Sequence, residues 1–354
     1  MTPAWRREGR GTRTEEAGPS ERPRLQPPIG QGDALTAWLR LARAGTLPHG
    51  LLVEGPRGSG KSTVLAWFAA ALLCPSELDV DGPCGVCSVC RRVASRSHPD
   101  LLVIDRAQNA ADKEAWGKLK SFYVIKIDQV RMAQTALQQH AVEGGARVLV
   151  IEDADCLEEE GQNALLKTLE EPGARTWLLL EAANPDHLLP TVRSRVQRFR
   201  TRPLGRDALQ RELATRLPQN SDRFARAIEH ADGSLGEALD ACTERAVQIH
   251  DLVQAMLARP DRLRPVATVQ AVLTGHTELW QRLEAARTFL RVLRRSLCRQ
   301  LHGLAGDGTA TYPALRAEPW TTWLERTIAA EQDLDLLIPP EQALTACLVA
   351  FTVG

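Results

Sequence analysis

The sequence predicts an α/β domain with a parallel sheet, followed by two all-helical regions. Short apolar runs alternate with helical patterns up to about residue 205, as in sheets covered by helices on both faces. After Pro203 no strand pattern recurs, and the apolar spacing is helical. A glycine-rich loop at residues 55–63 also lies directly between a predicted strand and a predicted helix. This is the arrangement of a phosphate-binding loop in an α/β domain.

Length and composition limit the class of protein. A chain of 354 residues suggests two or three domains. Lys and Arg together number 44, as do Asp and Glu, so the formal net charge is zero and no strongly basic nucleic-acid footprint exists at the level of the whole chain. The sequence has no apolar run of about 18 residues and no signal-peptide core. We therefore expect a cytoplasmic protein with no membrane partner.

Four segments follow from the patterning. Residues 1–25 mix charges with glycine and proline and show no apolar periodicity, which predicts a disordered tail. Residues 26–205 form the predicted α/β domain. Residues 206–248 are predicted to form a small helical domain, and residues 249–354 a terminal helical domain.

Individual elements of the α/β domain can be located. A helix begins at Ala34 and is expected to place Leu35, Trp38, Leu39 and Leu41 on one face. Another helix continues from Thr63 to Leu73, and an amphipathic helix within residues 161–172 is closed by a proline. The predicted buried strands lie at residues 50–55, 100–106, 147–153 and 176–182.

The loop "GPRGSGKST" satisfies the pattern G-x-x-x-x-G-K-[ST]. Its glycines let backbone N–H groups turn toward phosphates, Lys61 reaches the β- and γ-phosphate oxygens, and Ser62 is suited to ligate Mg²⁺. This predicts a site for ATP with Mg²⁺ and leaves hydrolysis open. The predicted nucleotide-binding residues of the loop are Gly55, Pro56, Arg57, Gly58, Ser59, Gly60, Lys61, Ser62 and Thr63.

Four of the eight cysteines form a cluster with the spacing C-x9-C-x2-C-x2-C, at Cys74, Cys84, Cys87 and Cys90. Four thiolates at this spacing predict a closed, structural Zn²⁺ site. A redox-active C-x2-C pair and an iron–sulfur cluster are the alternatives. The other four cysteines stand singly among apolar residues and are interpreted as small buried side chains.

The order of these motifs resembles a known family. The loop, the four-cysteine segment, "IKIDQVR" (125–131), "NALLKTLEEP" (163–172) and "SRV" (194–196) are similar to the bacterial DNA polymerase III clamp-loader subunits, which are AAA+ proteins. The resemblance covers about residues 27–245, and the remaining residues match only in being helical. It implies an AAA+ P-loop domain with an inserted zinc module at residues 74–90, a small helical lid domain and a helical collar domain. "IKIDQVR" and "LEEP" are interpreted as mostly structural.

The family contains ATP-hydrolysing gamma/tau subunits and delta-prime subunits of the same layout, and three positions distinguish them here. Motors read Asp-Glu where this chain has Glu152-Asp153, so a misplaced carboxylate predicts poor hydrolysis with residual Mg²⁺ binding. The polar γ-phosphate sensor falls on Ala183, with Asn184 one place later. An arginine that reaches the phosphates in motors is replaced by Gly236.

One catalytic element of the family is retained. "RSRVQRFR" keeps an arginine, Arg195, with Val196 in the place of the family's cysteine. In the family this arginine points at the ATP held by a neighbouring subunit, where it stabilises transition-state charge. The resemblance therefore implies that Arg195 acts in trans.

The combination predicts a delta-prime type of subunit that binds ATP and hydrolyses it poorly or not at all. Its implied partners are the gamma/tau and delta subunits, with the sliding clamp and primer–template DNA reached through the assembly. One alternative is a gamma/tau-like ATPase motor in which Asp153 acts as the base. Another is a P-loop nucleotide kinase with a zinc-stabilised lid, which leaves "NALLKTLEEP" without a role.

Overall fold

The computed structural model describes residues 25, 27–56, 58–75, 82–105, 124–143, 145–277, 279–305, 317–335 and 338–352. The predicted tail, residues 1–25, lies outside the described residues except for Leu25. The chain divides into two compact units. The first contains residues up to Glu212 together with Gly233–Gly236, and the second contains Leu213–Asp232 and the residues from Glu237 onward.

The first unit is built on a parallel sheet with the strand order β2-β3-β4-β1-β5. Strands β1, β3 and β4 are mostly apolar and almost wholly buried, because helices cover both faces of a parallel sheet. The strands in the described residues are β1 (Gly50–Glu54), β2 (Leu101–Ile104), β3 (Arg147–Ile151), β4 (Thr176–Ala182) and β5 (Gln197–Arg200).

Helices cover the sheet on its two faces. One core joins alternate strand residues, such as Leu51 and Val53, to α1, α2 and α3, and the other joins Leu52 and Leu178 to α4 and α5. Alternation along the strands separates the two cores. The helices of this part of the chain are α1 (Gly32–Arg43), α2 (Lys61–Leu73), α3 (Ser88–Ala94), α4 (Ile127–Leu137), α5 (Glu159–Glu170), α6 (Pro190–Arg193) and α7 (Arg206–Arg216).

In the second unit, the regular secondary structure of the described residues consists of helices. Its core includes Phe289, Trp320 and Phe351, all buried, and Trp323 stacks on Phe351 with 4.7 Å between ring centroids. The helices assigned from residue 224 onward are α8 (Phe224–His230), α9 (Leu235–Ala241), α10 (Glu244–Ala258), α11 (Pro265–Leu273), α12 (Leu279–Ala305), α13 (Ala317–Asp335) and α14 (Pro340–Val349). Among the described helices, none has both the length and the apolar character that a bilayer crossing requires.

The predicted fold class, a parallel-sheet P-loop domain followed by helices, is confirmed. The four predicted strands correspond to β1, β2, β3 and β4. Strand β5 was not predicted, because only Phe199 of its residues is buried and the others are exposed polar side chains. The division of the helical part at residue 248 stays a prediction.

Leu41 corrects the prediction for α1. Leu35, Trp38 and Leu39 are buried as expected, whereas Leu41 is 37% exposed. At about 100° per residue, position 41 lies well away from the stripe formed by residues 35, 38 and 39.

Leu39→Ala should lower the free energy of unfolding of the first unit by about 2–5 kcal/mol, because it leaves a cavity in the core. Leu41→Ala is the matched control on the same helix, and we expect a loss below about 1 kcal/mol. Urea unfolding followed by tryptophan fluorescence measures both. Equal losses for the two variants would contradict the observed orientation of α1.

Candidate functional site

The glycines of the phosphate loop meet a conformational requirement. Gly58 and Gly60 have φ angles of +71° and +87°, in the region that side chains disfavour. A Cβ atom at Gly55 would lie 2.0 Å from Thr201 Oγ1, on the segment that follows β5. The turn between β1 and α2 therefore favours glycine at these three positions.

Lys61, the first residue of α2, is buried within this loop. Its ammonium group donates to Pro56 O at 3.0 Å and lies 3.5 Å from Glu181 Oε1. Ser62 and Thr63 follow in the first turn of α2 and are exposed. Ser59 Oγ donates to Pro56 O at 2.7 Å, which closes the turn from within. Arg57, also predicted to bind nucleotide, lies outside the described residues.

The two acids after β3 differ in their surroundings. Glu152 Oε1 accepts from Arg96 at 2.6 Å, and Arg96 also contacts Asp105 at 3.1 Å. Burial raises the pKa of Glu152 to about 7, against the lowering effect of Arg96. Asp153 has a left-handed backbone, with φ +50°, which is uncommon for a residue with a side chain. Glu152 is thus bonded to a cation of its own chain.

Ala183 and Asn184, the positions predicted for a phosphate sensor, follow the end of β4. Ala183 and Asn184 both donate their backbone N–H groups to Asp155 Oδ2, at 3.0 and 2.7 Å. The Asn184 side chain accepts from Asp186 N and contacts His187 Nε2 at 3.0 Å. These bonds engage the Asn184 amide in its own turn.

Gly236 lies against the phosphate loop. Its N–H group donates to Gly58 O at 3.2 Å, and a Cβ atom at this position would lie 3.0 Å from Gly58 Cα. Both residues belong to the first unit. A side chain at position 236 would therefore require a shift of the loop backbone.

The four cysteines of the sequence cluster converge. Their Sγ atoms all lie within 4.8 Å of one another, and the distances from Cys74 to Cys84 and to Cys87 are both 3.8 Å. Cys87 caps α3 by accepting from Cys90 N. A tetrahedral ion with metal–sulfur bonds of about 2.3 Å places its thiolates ~3.8 Å apart, so the cluster matches a metal site.

Arg195 is exposed and held at one end by a carboxylate. Its guanidinium donates from Nε to Glu170 Oε1 at 2.7 Å, and its Nη1 donates to Thr191 O at 3.0 Å. Glu170 is the last residue of α5, within the segment "NALLKTLEEP". The arginine thus keeps a defined direction while more than a third of its side chain remains exposed.

The sequence analysis did not identify two residues that contact predicted site residues, Glu181 beside Lys61 and Glu170 beside Arg195. Glu181 lies in the strand sequence "TWLLLEA". An acidic residue within a predicted buried strand was the only sign that it could have a role. Glu170 belonged to a segment interpreted as structural, and only the tertiary contact with Arg195 distinguishes it from its neighbour Glu171. The structure therefore gathers the loop, Glu181 and the acids after β3 at one edge of the sheet, with the cysteine cluster and Arg195 elsewhere in the unit.

Comparison with known proteins gives the following matches. A protein-family model described as "DNA polymerase III, delta subunit" matches residues 30–205. The DNA polymerase III subunit delta' of Pseudomonas aeruginosa is 37% identical over 193 residues, which cover 54% of each chain. The subunit tau of Salmonella typhimurium is 30% identical over 263 residues, covering 71% of this chain and 38% of that one.

The chain spans about half the length of the delta' relative and less of the tau relative. A solved "gamma subunit-related protein" of Thermotoga maritima superposes with a TM-score of 0.44 at 16% identity, over 91% of this chain and 99% of that one. This score is too low to carry an argument.

Cys90→Ser should lower the metal content of the purified protein at least about tenfold, because three thiols and a hydroxyl bind a soft cation more weakly than four thiols. Cys156→Ser, which changes a half-buried cysteine outside the cluster, is the control and should leave the metal content unchanged. Elemental analysis after dialysis measures both. A wild-type protein that retains no metal would contradict this interpretation.

Proposed function

Because this chain belongs, over residues 30–205, to the family of DNA polymerase III delta' and tau subunits, we propose that it is the delta-prime-type subunit of a bacterial replicative clamp loader. In this role it is a stator that donates an arginine in trans. The assembly uses ATP to load the sliding clamp onto primer–template DNA.

The observation that carries the proposal is the exposed, oriented guanidinium of Arg195. Its contacts with Glu170 and Thr191 O define its direction without burying its charge. An arginine that reaches the phosphates of a neighbouring subunit needs both properties. Stabilisation of transition-state charge by such an arginine raises rates by about 10³–10⁵ in other nucleotide hydrolases.

The phosphate loop supports binding of ATP with Mg²⁺ by this chain. Lys61 and Ser62 stand at the N-terminus of α2, where backbone N–H groups favour a phosphate. Poor hydrolysis by the chain itself is supported by three features: Glu152 is bonded to Arg96, Asn184 is engaged in its own turn, and Gly236 carries no side chain. Ser62 and Asp153 are the residues that would hold Mg²⁺, which would supply positive charge against the phosphates.

The metal of the four-thiol cluster is proposed to be Zn²⁺. The set consists of sulfur donors only, and such closed sites are structural rather than catalytic. Burial raises the pKa of the Cys90 thiol, so a cation is needed to favour the thiolate. The bound ion would hold residues 74–90 together.

The proposed partners are the gamma/tau and delta subunits, with the sliding clamp and primer–template DNA contacted through the assembly. The zero net charge of the chain favours a minor or shared contact with DNA. The names of the relatives support a place in the bacterial cytoplasm, at the replisome.

A gamma/tau-type ATPase motor is the second candidate, and the complete phosphate loop favours it. The tau relative also matches a larger share of this chain, 71%, than the delta' relative does. In that case the isolated chain would hydrolyse ATP at more than trace rates, and Lys61→Ala would abolish the activity.

Arg195→Ala tests the proposed function in a complex reconstituted with gamma/tau and delta subunits. We expect clamp loading to fall about tenfold or more, because one ATP site loses the cation that neutralises its transition state. DNA-stimulated ATP hydrolysis should fall by the fraction of the total hydrolysis that this one site contributes. Glu170→Gln should produce a smaller loss, since the arginine remains but its direction is less well defined.

Arg193→Ala is the matched control for this experiment. Arg193 lies in α6, two residues before Arg195, and its guanidinium bonds to Asp186 at 2.5 Å. We expect this variant to retain clamp loading. If the Arg195→Ala complex kept full loading and full DNA-stimulated hydrolysis, the role of Arg195 in trans would be wrong.

A further inference from the structure

Glu181 is an acid at a position of the sheet whose neighbours are apolar. It is the penultimate residue of β4 and pairs with Val53 of β1. Since side chains alternate along a strand, Glu181 shares a face with Leu179, which packs in the core beneath α2. Only 8% of Glu181 is exposed, and a carboxylate buried to this degree is unfavourable unless a cation or hydrogen-bond donors accompany it.

The cation near Glu181 is the loop lysine itself. Glu181 Oε1 lies 3.5 Å from Lys61 Nζ, and both side chains are at least nine-tenths buried. Glu181 Oε2 is also buried and accepts no hydrogen bond within the described part of the chain. Burial raises the pKa of Glu181, while Lys61 and the hydroxyl of Ser62 favour its ionised form.

Nucleotide phosphates would need the same ammonium group. Lys61 already donates to Pro56 O at 3.0 Å and faces the Glu181 carboxylate, so a phosphate oxygen would share a cation with a nearby negative charge. Asp153 adds a second negative charge near the lysine, and this charge raises the pKa of Glu181. Like charges in a poorly solvated site repel strongly, and a divalent cation relieves the repulsion.

We propose that Glu181 is an affinity-determining residue of the nucleotide site, which competes with nucleotide phosphates for Lys61 and makes ATP binding strongly dependent on Mg²⁺. This inference rests on the proposed nucleotide-binding role of the loop. The sequence motif alone suggests an ordinary phosphate loop. In the fold, β4, which pairs with β1, supplies the Glu181 carboxylate, and this carboxylate weakens the binding of phosphates by the loop.

Glu181→Gln tests the proposal, because it removes the charge and keeps the size of the side chain. Binding of the fluorescent analogue mant-ATP to the full chain is titrated with Mg²⁺ and with EDTA. We expect the variant to bind about tenfold more tightly in EDTA, and to gain less with Mg²⁺, where the cation already offsets the carboxylate. Glu181→Ala should act in the same direction.

Glu54→Gln is the matched control. Glu54 is as deeply buried, ends the neighbouring strand β1 and is also ion-paired, with Arg198 at 2.6 Å and Arg200 at 3.0 Å. It alternates with Val53 and so lies on the sheet face opposite Glu181. We expect no change in nucleotide affinity. Lys61→Ala should abolish binding and so identify the loop as the site being measured.

The outcomes distinguish the role of Glu181 from the existence of the nucleotide site. Tighter binding by Glu181→Gln, including binding by the variant where wild type shows none, supports the inference. Unchanged affinity in a wild-type protein that does bind mant-ATP would overturn it and leave the nucleotide site standing. Weaker binding with Mg²⁺ would also overturn it, since Glu181 would then be a metal ligand. Absence of binding by both proteins would reject the nucleotide site and this inference together.

Discussion

The parallel pairing of β1 with β4 and β5 is the interaction on which the candidate site depends. Strands that run in parallel end at the same edge of a sheet, so residues far apart in the chain meet there. Hydrogen bonds from both neighbours extend past the end of β1: Gly55 N donates to Ala182 O at 3.3 Å, and Thr201 N donates to Glu54 O at 2.9 Å. These bonds fix the start of the phosphate loop and bring Glu181 beside Lys61.

The charges at this edge are largely matched within the chain. Lys61 faces Glu181, and Arg96 bonds to Glu152. Stabilisation of a transition state requires preorganised groups aimed at the reacting phosphate, and the buried Glu152 carboxylate is bonded to Arg96 instead. This internal matching, together with the small residues at positions 183 and 236, is why we propose that the chain holds a nucleotide better than it hydrolyses one.

The charge arrangement around Arg195 has the opposite character. Its partner Glu170 is exposed, as is the arginine itself, so the pair contributes little to stability. What the contact provides is direction, because a bond from Nε and another from Nη1 restrict a long side chain. Because solvent screens this pair, Arg195 can exchange Glu170 for a phosphate at a subunit boundary with little loss of free energy. This suits the role that we propose.

The sequence by itself determined the class of the fold, the phosphate loop and the cysteine cluster. These features depend on local patterns: apolar runs, glycine spacing and the C-x2-C steps that let four thiols approach one point. It also predicted the buried stripe of α1, and wrongly included Leu41 in it. Strand β5 was missed because an edge strand with one buried side chain has almost no apolar pattern.

Only the tertiary structure decided which charges meet. Lys61 and Glu181 are 120 residues apart in the sequence, and Arg195 and Glu170 are 25 apart, so no local pattern links either pair. Their contacts depend on the order of strands in the sheet and on the end of α5, which arise from packing of the whole domain. For this reason the motif could indicate where a phosphate would bind. The fold decides how much of the charge of Lys61 is already matched by another residue, and so how strongly the lysine can hold that phosphate.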